Sequence, residues 1–279
     1  MERINDFRNV FAQVVVSRAG CPHNQRLLRA FERVPRHDFL GPGPWIVRED
    51  GTRTAGDDPA IIYQDMGIGL AEGIPTGLPS LHARFLDMLQ PMSGECVMQV
   101  GAGSGYFTAI LAELVGETGR VIAYEINASL ATRAERNLKP WPWVSVESRS
   151  GITSTDDPVD LVYVNAGVQE LPTAWVYALR PGGRLLFPLV AERGHGVIFI
   201  VTRIGNNTYS ARSAGNAQFV PCIGTQDTTT CARLASVLRD DTSASVRSLR
   251  LAPDQPDESA WFAGAEWWLS TYDNTTGVA

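Results

Sequence analysis

Between the apolar run Cys96–Val100 and a segment with apolar residues at Phe107, Ile110, Leu111, Leu114 and Val115, the chain reads Gly101-Ala102-Gly103-Ser104-Gly105. Glycines at alternate positions let a backbone turn sharply and come close to a ligand, and the helix that the following spacing predicts offers unpaired N–H groups at its start. Glu125 ends the next apolar run, twenty positions beyond Gly105, where a carboxylate can accept both hydroxyl hydrogens of a ribose. This is chemistry for holding a nucleoside cofactor. Gly101, Ala102, Gly103, Gly105, Glu125 and its neighbour Ile126 are the cofactor-binding candidates. Tyr106 and Asn165 join them at carboxyl-end positions, where either residue can also simply pack or cap.

Two cofactors suit a strand, a glycine loop and a helix with a downstream acid. A dinucleotide fingerprint places a third glycine where Tyr106 stands and is followed by a second mononucleotide half, whereas this chain turns to strands without helices after Val190. The GxGxG form is the usual one for S-adenosyl-L-methionine, which is the cofactor expected here, with S-adenosyl-L-homocysteine as its product. A nucleotide oxidoreductase and a plain tight turn are the competing readings. Methyl transfer from a sulfonium is an in-line displacement that needs alignment more than a strong base. A carboxylate is ionised at neutral pH, while a phenol or alcohol needs a base or a metal. With four His and no Asp, Glu and His arranged for magnesium, the sequence predicts no metal and favours a carboxylate oxygen as acceptor. Tyr63, Gln64 and Asp65 precede a glycine-rich stretch (68–77) and are candidates either for an acceptor pocket or for a solvent-exposed loop.

The elements that must position these residues follow from periodicity. Residues 79–90 read as a helix with Leu81, Phe85, Met88 and Leu89 along its buried stripe and Pro79 in its first turn. Strands are predicted at 96–100, 120–126, 144–148, 159–164 and 183–190, alternating with helices, one of which carries Leu130, Ala134 and Leu138. That order predicts an α/β fold: a doubly wound, mainly parallel Rossmann-like methyltransferase sheet. Gly205-Asn206-Asn207 marks a hairpin and an antiparallel C-terminal edge. Residues 1–78 form a helical cap and substrate-side loop, with Phe11, Val14 and Val15 on one helical face; 79–224 form the cofactor domain; 225–279 form an appendix. Its Trp261, Trp267 and Trp268 fit core positions better than a substrate cover. Loop compositions occur at 41–45 and 49–58.

The net charge of −6, with no compensating Lys/Arg stripe, disfavours a nucleic-acid partner. No apolar run reaches membrane-spanning length and the N-terminus has no apolar signal region, so the expected location is the cytoplasm, without a membrane partner. The four cysteines (Cys21, Cys96, Cys222, Cys231) lie far apart and read as small hydrophobes. Nothing here sets the oligomeric state.

Six segments, in order, resemble the protein-L-isoaspartate O-methyltransferase family over about residues 25 to 225: VPRHDFL (34–40), LPSLHA (78–83), VGAGSGYFTAILAELVG (100–116), VDLVYVNAGVQELP (159–172), ALRPGGRLLFPLV (178–190) and FVPCIG (219–224). The resemblance implies that His82 contacts S-adenosyl-L-methionine. It also places Thr76 and Gly77 at the transfer site, where the family's Ser-x-Pro serine aligns with Gly77 and Thr76 is one position off. Ser150 beside Gly151 stands for the acid of the family's Asp-Gly adenine motif, and Gln99 for an acid before the glycine loop. A glycine at 77 is expected to widen the space beside the sulfonium, making isoaspartyl repair poor. The leading expectation is therefore methylation of a carboxylate on a peptide or small metabolite. The alternatives are isoaspartyl repair, N- or O-methylation of a natural product, and a non-catalytic scaffold that binds the cofactor.

Overall fold

The computed structural model describes residues 2–48, 51–70, 73–153, 157–191 and 194–274; residues 49–50 and 71–72, inside two predicted loop stretches, lie outside them. The chain begins with α1 (Glu2–Arg18), α2 (Gln25–Arg33), α3 (Arg36–Leu40), β1 (Ile46–Val47), β2 (Ile68–Gly69) and α4 (Pro79–Leu89). Strand–helix alternation follows in β3 (Cys96–Val100), α5 (Tyr106–Val115), β4 (Arg120–Tyr124), α6 (Ala128–Asn137), β5 (Val144–Glu147), β6 (Val159–Val164), α7 (Thr173–Tyr177) and β7 (Leu179–Val190). Then come β8 (His195–Gly205), β9 (Thr208–Gln218), α8 (Thr228–Arg239), β10 (Ser248–Leu251), β11 (Ala260–Ala263) and β12 (Trp267–Ser270). This is the doubly wound α/β class with an antiparallel extension. Contacts divide the chain into two compact units, residues 1–96 with 102–149 and residues 97–101 with 150–279.

In the first unit α1 packs on α2 and α4, and α2 on α5. Asn24 caps α2 by accepting from the Leu27 N–H at 3.0 Å, and its amide donates to Asp87 of α4 at 2.7 Å. The buried arc of α1 is Phe11, Ala12, Val15 and Val16, while Val14 is 37% exposed. The predicted face is thus turned by about one residue, because α1 wedges between two helices and needs a wider apolar arc than one stripe supplies. In α4 the buried residues include His82, Phe85, Leu86 and Leu89, with Leu81 and Met88 only half-buried. A histidine carries no weight in an apolar pattern, and here it defines the inward face. Strands β4 and β5 pair in parallel, and β1 pairs antiparallel with β2.

In the second unit β6 pairs in parallel with β3 and β7. From β7 outward every neighbour is antiparallel, in the order β7-β8-β9-β10-β12-β11. The predicted hairpin forms, with Gly205 paired to Thr208 and Asn207 at φ 51°. Trp267 and Trp268 are almost fully buried and Trp261 nearly so, which makes the terminal tryptophans core. The Trp267 indole donates to the Glu170 carboxylate. All four cysteines are free thiols. Among the described residues, no helix is long and apolar enough to cross a membrane.

One buried cation organises the segment between α3 and β2. Arg36 is 1% exposed, and its guanidinium donates to the carbonyls of Ile62 (2.6 Å), Gln64 (2.7 Å) and Met66 (2.5 Å). It also lies 5.4 Å from the Phe11 ring centre and 5.9 Å from that of Tyr106. A fork of five fixed donors suits such a row of carbonyls, and no other side chain reproduces it. Arg36→Met should lower the free energy of unfolding by about 3 kcal/mol, since several charge-assisted bonds go and carbonyls are left buried. Urea unfolding measures this, and a loss below about 1 kcal/mol, the worth of one neutral hydrogen bond, would contradict the bracing role.

Candidate active site

The glycine loop is held by an acid. Gly101, Gly103 and Gly105 take φ of 80°, 59° and 93°, a region that side chains disfavour. Gly105 caps α5, and a Cβ there would also meet Leu138 Cδ1 at 3.0 Å, whereas a Cβ at Gly103 would meet nothing within 4 Å. Glu125 lies one residue past β4 and is 6% exposed. Its Oε2 accepts from the Gly103 N–H at 2.7 Å and its Oε1 from the Asn127 N–H at 2.9 Å. Asn127 in turn caps α6, accepting from the N–H groups of Ser129 and Leu130. Burial pushes the Glu125 carboxyl above its ordinary pKa, and the amides of Asn127, Gly103 and Ile126 oppose that shift. Each oxygen keeps a lone pair that can accept a hydroxyl hydrogen. Beside it, Ile126 is 47% exposed, an apolar surface at the strand end.

Gly77 and His82 are brought together. A Cβ built at Gly77 would overlap His82 Nε2 and lie 3.1 Å from Cε1, so the imidazole fills the volume that a side chain at 77 would take. The predicted widening beside Gly77 is therefore absent. The ring stacks on Phe107 with centroids 3.7 Å apart and planes at 17°, and burial lowers its pKa to about 3. It is neutral at physiological pH. The Thr76 hydroxyl accepts from the Ile68 N–H at 2.9 Å and so closes the turn before Gly77.

Of the acceptor-side candidates, Tyr63 is buried, shares a 2.6 Å hydrogen bond with His37 Nδ1 and has its phenol pushed up to about 12 by burial. Asp65 accepts from the Ser80 N–H at 2.9 Å and pairs with Arg18 at 3.3 Å, which fixes the start of α4. Gln64 is exposed. Tyr106 packs edge-on against Phe31, Phe39 and Phe107, and its hydroxyl is buried without a hydrogen-bond partner.

In the second unit, the Asn165 N–H donates to the Val100 carbonyl at 2.8 Å, and a Cβ at Gly101 would come within 3.6 Å of Asn165 Cβ. The Asn165 side-chain oxygen and both amide atoms of Gln99 are buried without a partner. Orphaned polar atoms of this kind next to a glycine loop are what a polar ligand satisfies. The Gly151 carbonyl accepts from the buried Trp175 indole at 2.6 Å, and Ser150 Oγ accepts from the Ile152 N–H at 3.4 Å. Among the described residues, no group of three or more His, Cys, Asp or Glu is arranged to hold a metal.

The model of the protein-L-isoaspartate(D-aspartate) O-methyltransferase family matches residues 13–227. The chain belongs to this family. Members from Methanopyrus kandleri and Aeropyrum pernix, both named protein-L-isoaspartate O-methyltransferase, are each 32% identical to it over 74% of this chain, covering 86% and 76% of their own lengths. Among solved structures, a protein-L-isoaspartate O-methyltransferase superposes with a TM-score of 0.67 over 94% of this chain and 87% of its own, at 18% identity. A Plasmodium falciparum chain described as the same enzyme in complex with S-adenosyl-L-homocysteine gives 0.63 over 77% of this chain and 97% of its own, also at 18% identity. These two likenesses show the fold. Family membership makes the chain an S-adenosylmethionine-dependent methyltransferase.

Arg36, Asn127 and Phe107 carry more of this arrangement than the sequence suggested. Asn127 was open to detection, since Asn before an apolar helical stripe signals an N-cap. Arg36 falls in the VPRHDFL segment of the resemblance, but its bracing role had no local signal, because its partners lie 26 to 30 positions away.

Two outcomes follow. Glu125→Gln puts an amide N–H against a backbone N–H, and should weaken S-adenosyl-L-homocysteine binding by about 1.5–3 kcal/mol, the range for charge-assisted bonds. Calorimetry returning wild-type affinity would sink that role. For His82, the unfolded chain takes up a proton near pH 6.5 while the folded chain resists down to about 3. Stability from this source is complete above pH 6.5 and is lost as pH falls towards 3, by up to about 1.4 kcal/mol per pH unit. Urea unfolding at pH 7 and pH 5 should show a smaller acid loss in His82→Gln than in wild type; parallel losses would contradict a buried neutral imidazole.

Proposed function

We propose that this chain methylates the free α-carboxylate of isoaspartyl residues in polypeptides. The names of the Methanopyrus and Aeropyrum relatives favour that acceptor over the broader class of carboxylates. The observation that carries the cofactor half of the reading is the bond from the Gly103 N–H to Glu125, which presets the loop and strand end as one surface. Gly101, Ala102, Gly103 and Gly105 would hold the cofactor along the backbone, and Glu125 its ribose. Within the first unit Ile126 would serve the adenine, and Tyr106 and His82 the remainder; Ser150, Gly151 and Asn165 are the cofactor candidates of the second unit. S-adenosyl-L-methionine supplies the methyl group from its sulfonium, leaving S-adenosyl-L-homocysteine.

An isoaspartyl carboxylate is ionised at neutral pH, so the protein's part is to orient it and exclude water. Tyr63, Gln64 and Asp65 are proposed to border the acceptor. The Gly77–His82 pair bears directly on this reading. Sequence alone set Gly77 against isoaspartyl chemistry, because a hydroxyl is missing. A neutral imidazole offers one donor and one acceptor nitrogen, the same kinds of hydrogen bond as a hydroxyl, and it fills the Gly77 volume. Being uncharged, it also places no like charge beside a sulfonium. His82 is thus proposed to position the acceptor or the cofactor in place of the absent serine.

The deciding measurement is turnover of an isoaspartyl peptide against its aspartyl counterpart. Selective methylation at about 1 per second or faster is expected, within the usual enzymatic range. Gly77→Ala should reduce kcat/KM at least about tenfold, equivalent to about 1.4 kcal/mol, because the new methyl displaces the imidazole. Inert peptides with S-adenosyl-L-homocysteine binding intact would move the acceptor to another carboxylate. An unaffected Gly77→Ala would remove His82 from its positioning role.

A further inference from the structure

The first unit carries a groove of about 590 Å³ whose walls come from the exit of α3, the β1–β2 pair and α6. Trp45, Ile46 and Leu70 give it an apolar side, and Arg53, Arg133 and Arg136 bring three guanidinium groups to it. Arg133 and Arg136 lie three apart on α6 and so share a helix face. Arg53 comes from the opposite wall, where it bridges to Ile46. Arg133 Nη2 stands 2.6 Å from where a Gly41 Cβ would be, so Gly41 leaves room for that guanidinium. Among the described residues no carboxylate lines the groove, and neither Arg53 nor Arg136 forms an ion pair there. The described lining residues thus carry only positive formal charge, in a chain whose net charge is −6.

Arginines around an apolar floor recognise planar anions carried on a partly apolar body. The size lies within the range of sites that enclose a small ligand or a few residues of peptide. The groove also shares a turn with the transfer-site candidates. Gly69 and Leu70 line it, while Ile68 next to them bonds Thr76, which precedes Gly77. We propose that this groove binds an acidic stretch of the acceptor polypeptide, flanking in sequence the residue that is methylated. Its role as an acceptor subsite rests on the peptide methyltransferase reading; the binding of acidic peptide does not.

Two experiments separate these. In the first, fluorescence anisotropy follows a labelled glutamate-rich peptide without isoaspartate, and its glutamine counterpart, on the full chain. The acidic peptide should bind at least about tenfold more tightly, and Arg53→Gln with Arg136→Gln should remove that advantage. Raising ionic strength from about 0.01 to about 0.15 M, which shortens screening from about 30 to about 8 Å, should weaken binding to the unmodified protein. Unchanged S-adenosyl-L-homocysteine affinity in the double variant reports an intact fold. Equal binding of the two peptides, an acidic preference that survives the double variant, or equal competition by a single-stranded oligonucleotide would each overturn the proposal. In the second, isoaspartyl peptides with glutamate or glutamine flanks are compared as substrates. The glutamate flank should lower KM about tenfold or more without raising kcat, and the double variant should erase the difference. Equal KM values would overturn the acceptor role. Absence of turnover on every peptide would instead refute the peptide-acceptor reading, with the binding result still deciding the groove.

Discussion

The backbone N–H groups of Gly103 and Asn127 share one carboxylate at Glu125, and the geometry of the glycine loop hangs on that arrangement. Three glycines in the left-handed region are kept there by one bond within the loop, from the Gly105 N–H to the Ala102 carbonyl, and by hydrogen bonds from outside it. One oxygen of Glu125 holds Gly103, and the other holds Asn127, whose side chain starts α6. The end of β4, the middle of the loop and the first turn of α6 thus meet at a single anion. Burial of that anion is unfavourable, and the amides that surround it make the charge tolerable.

The rest of the first unit applies the same logic to other buried polar groups. Arg36 satisfies a row of carbonyls at and just beyond the single helical turn Pro59–Ile62, and aromatic faces shield its charge. His82 gives up its charge altogether and packs as a flat ring on Phe107. An ionised group is kept where many donors or acceptors converge on it, and a titratable one is neutralised where packing dominates. The Gly77–His82 contact belongs to the second kind and reverses the meaning of a glycine. Taken alone, Gly77 reads as a missing side chain; in the fold it is the space reserved for another one.

What the sequence displays is what is local. The strands at 96–100 and 159–164, the loop between 101 and 105, and the hairpin at 205–207 are set by neighbouring residues, and the structure has them at the expected positions. Glu125 was legible because strand periodicity fixes where an acid falls relative to the loop. The buried faces of α1 and α4 were less so, since which arc is covered depends on the number of neighbouring helices. Arg36, the Gly77–His82 exclusion and the arginine groove depend on segments brought together only by the fold. Charge summed over the whole chain disfavoured a nucleic-acid partner and carried no information on where three arginines would gather.

The family match ends at residue 227, and α8 begins at the next residue. The strands beyond it close a weakness that β9 would otherwise present. An eleven-residue strand at the border of a sheet is a template for pairing with foreign chains. Here β10 covers part of that border through Ser248 and Leu249, and the outermost position passes to β11, four residues long with a register shift between Ala260 and Phe262. A short, irregular border strand gives an incoming chain little to extend. The C-terminal segment thus replaces a long straight edge by a brief one backed by buried tryptophans.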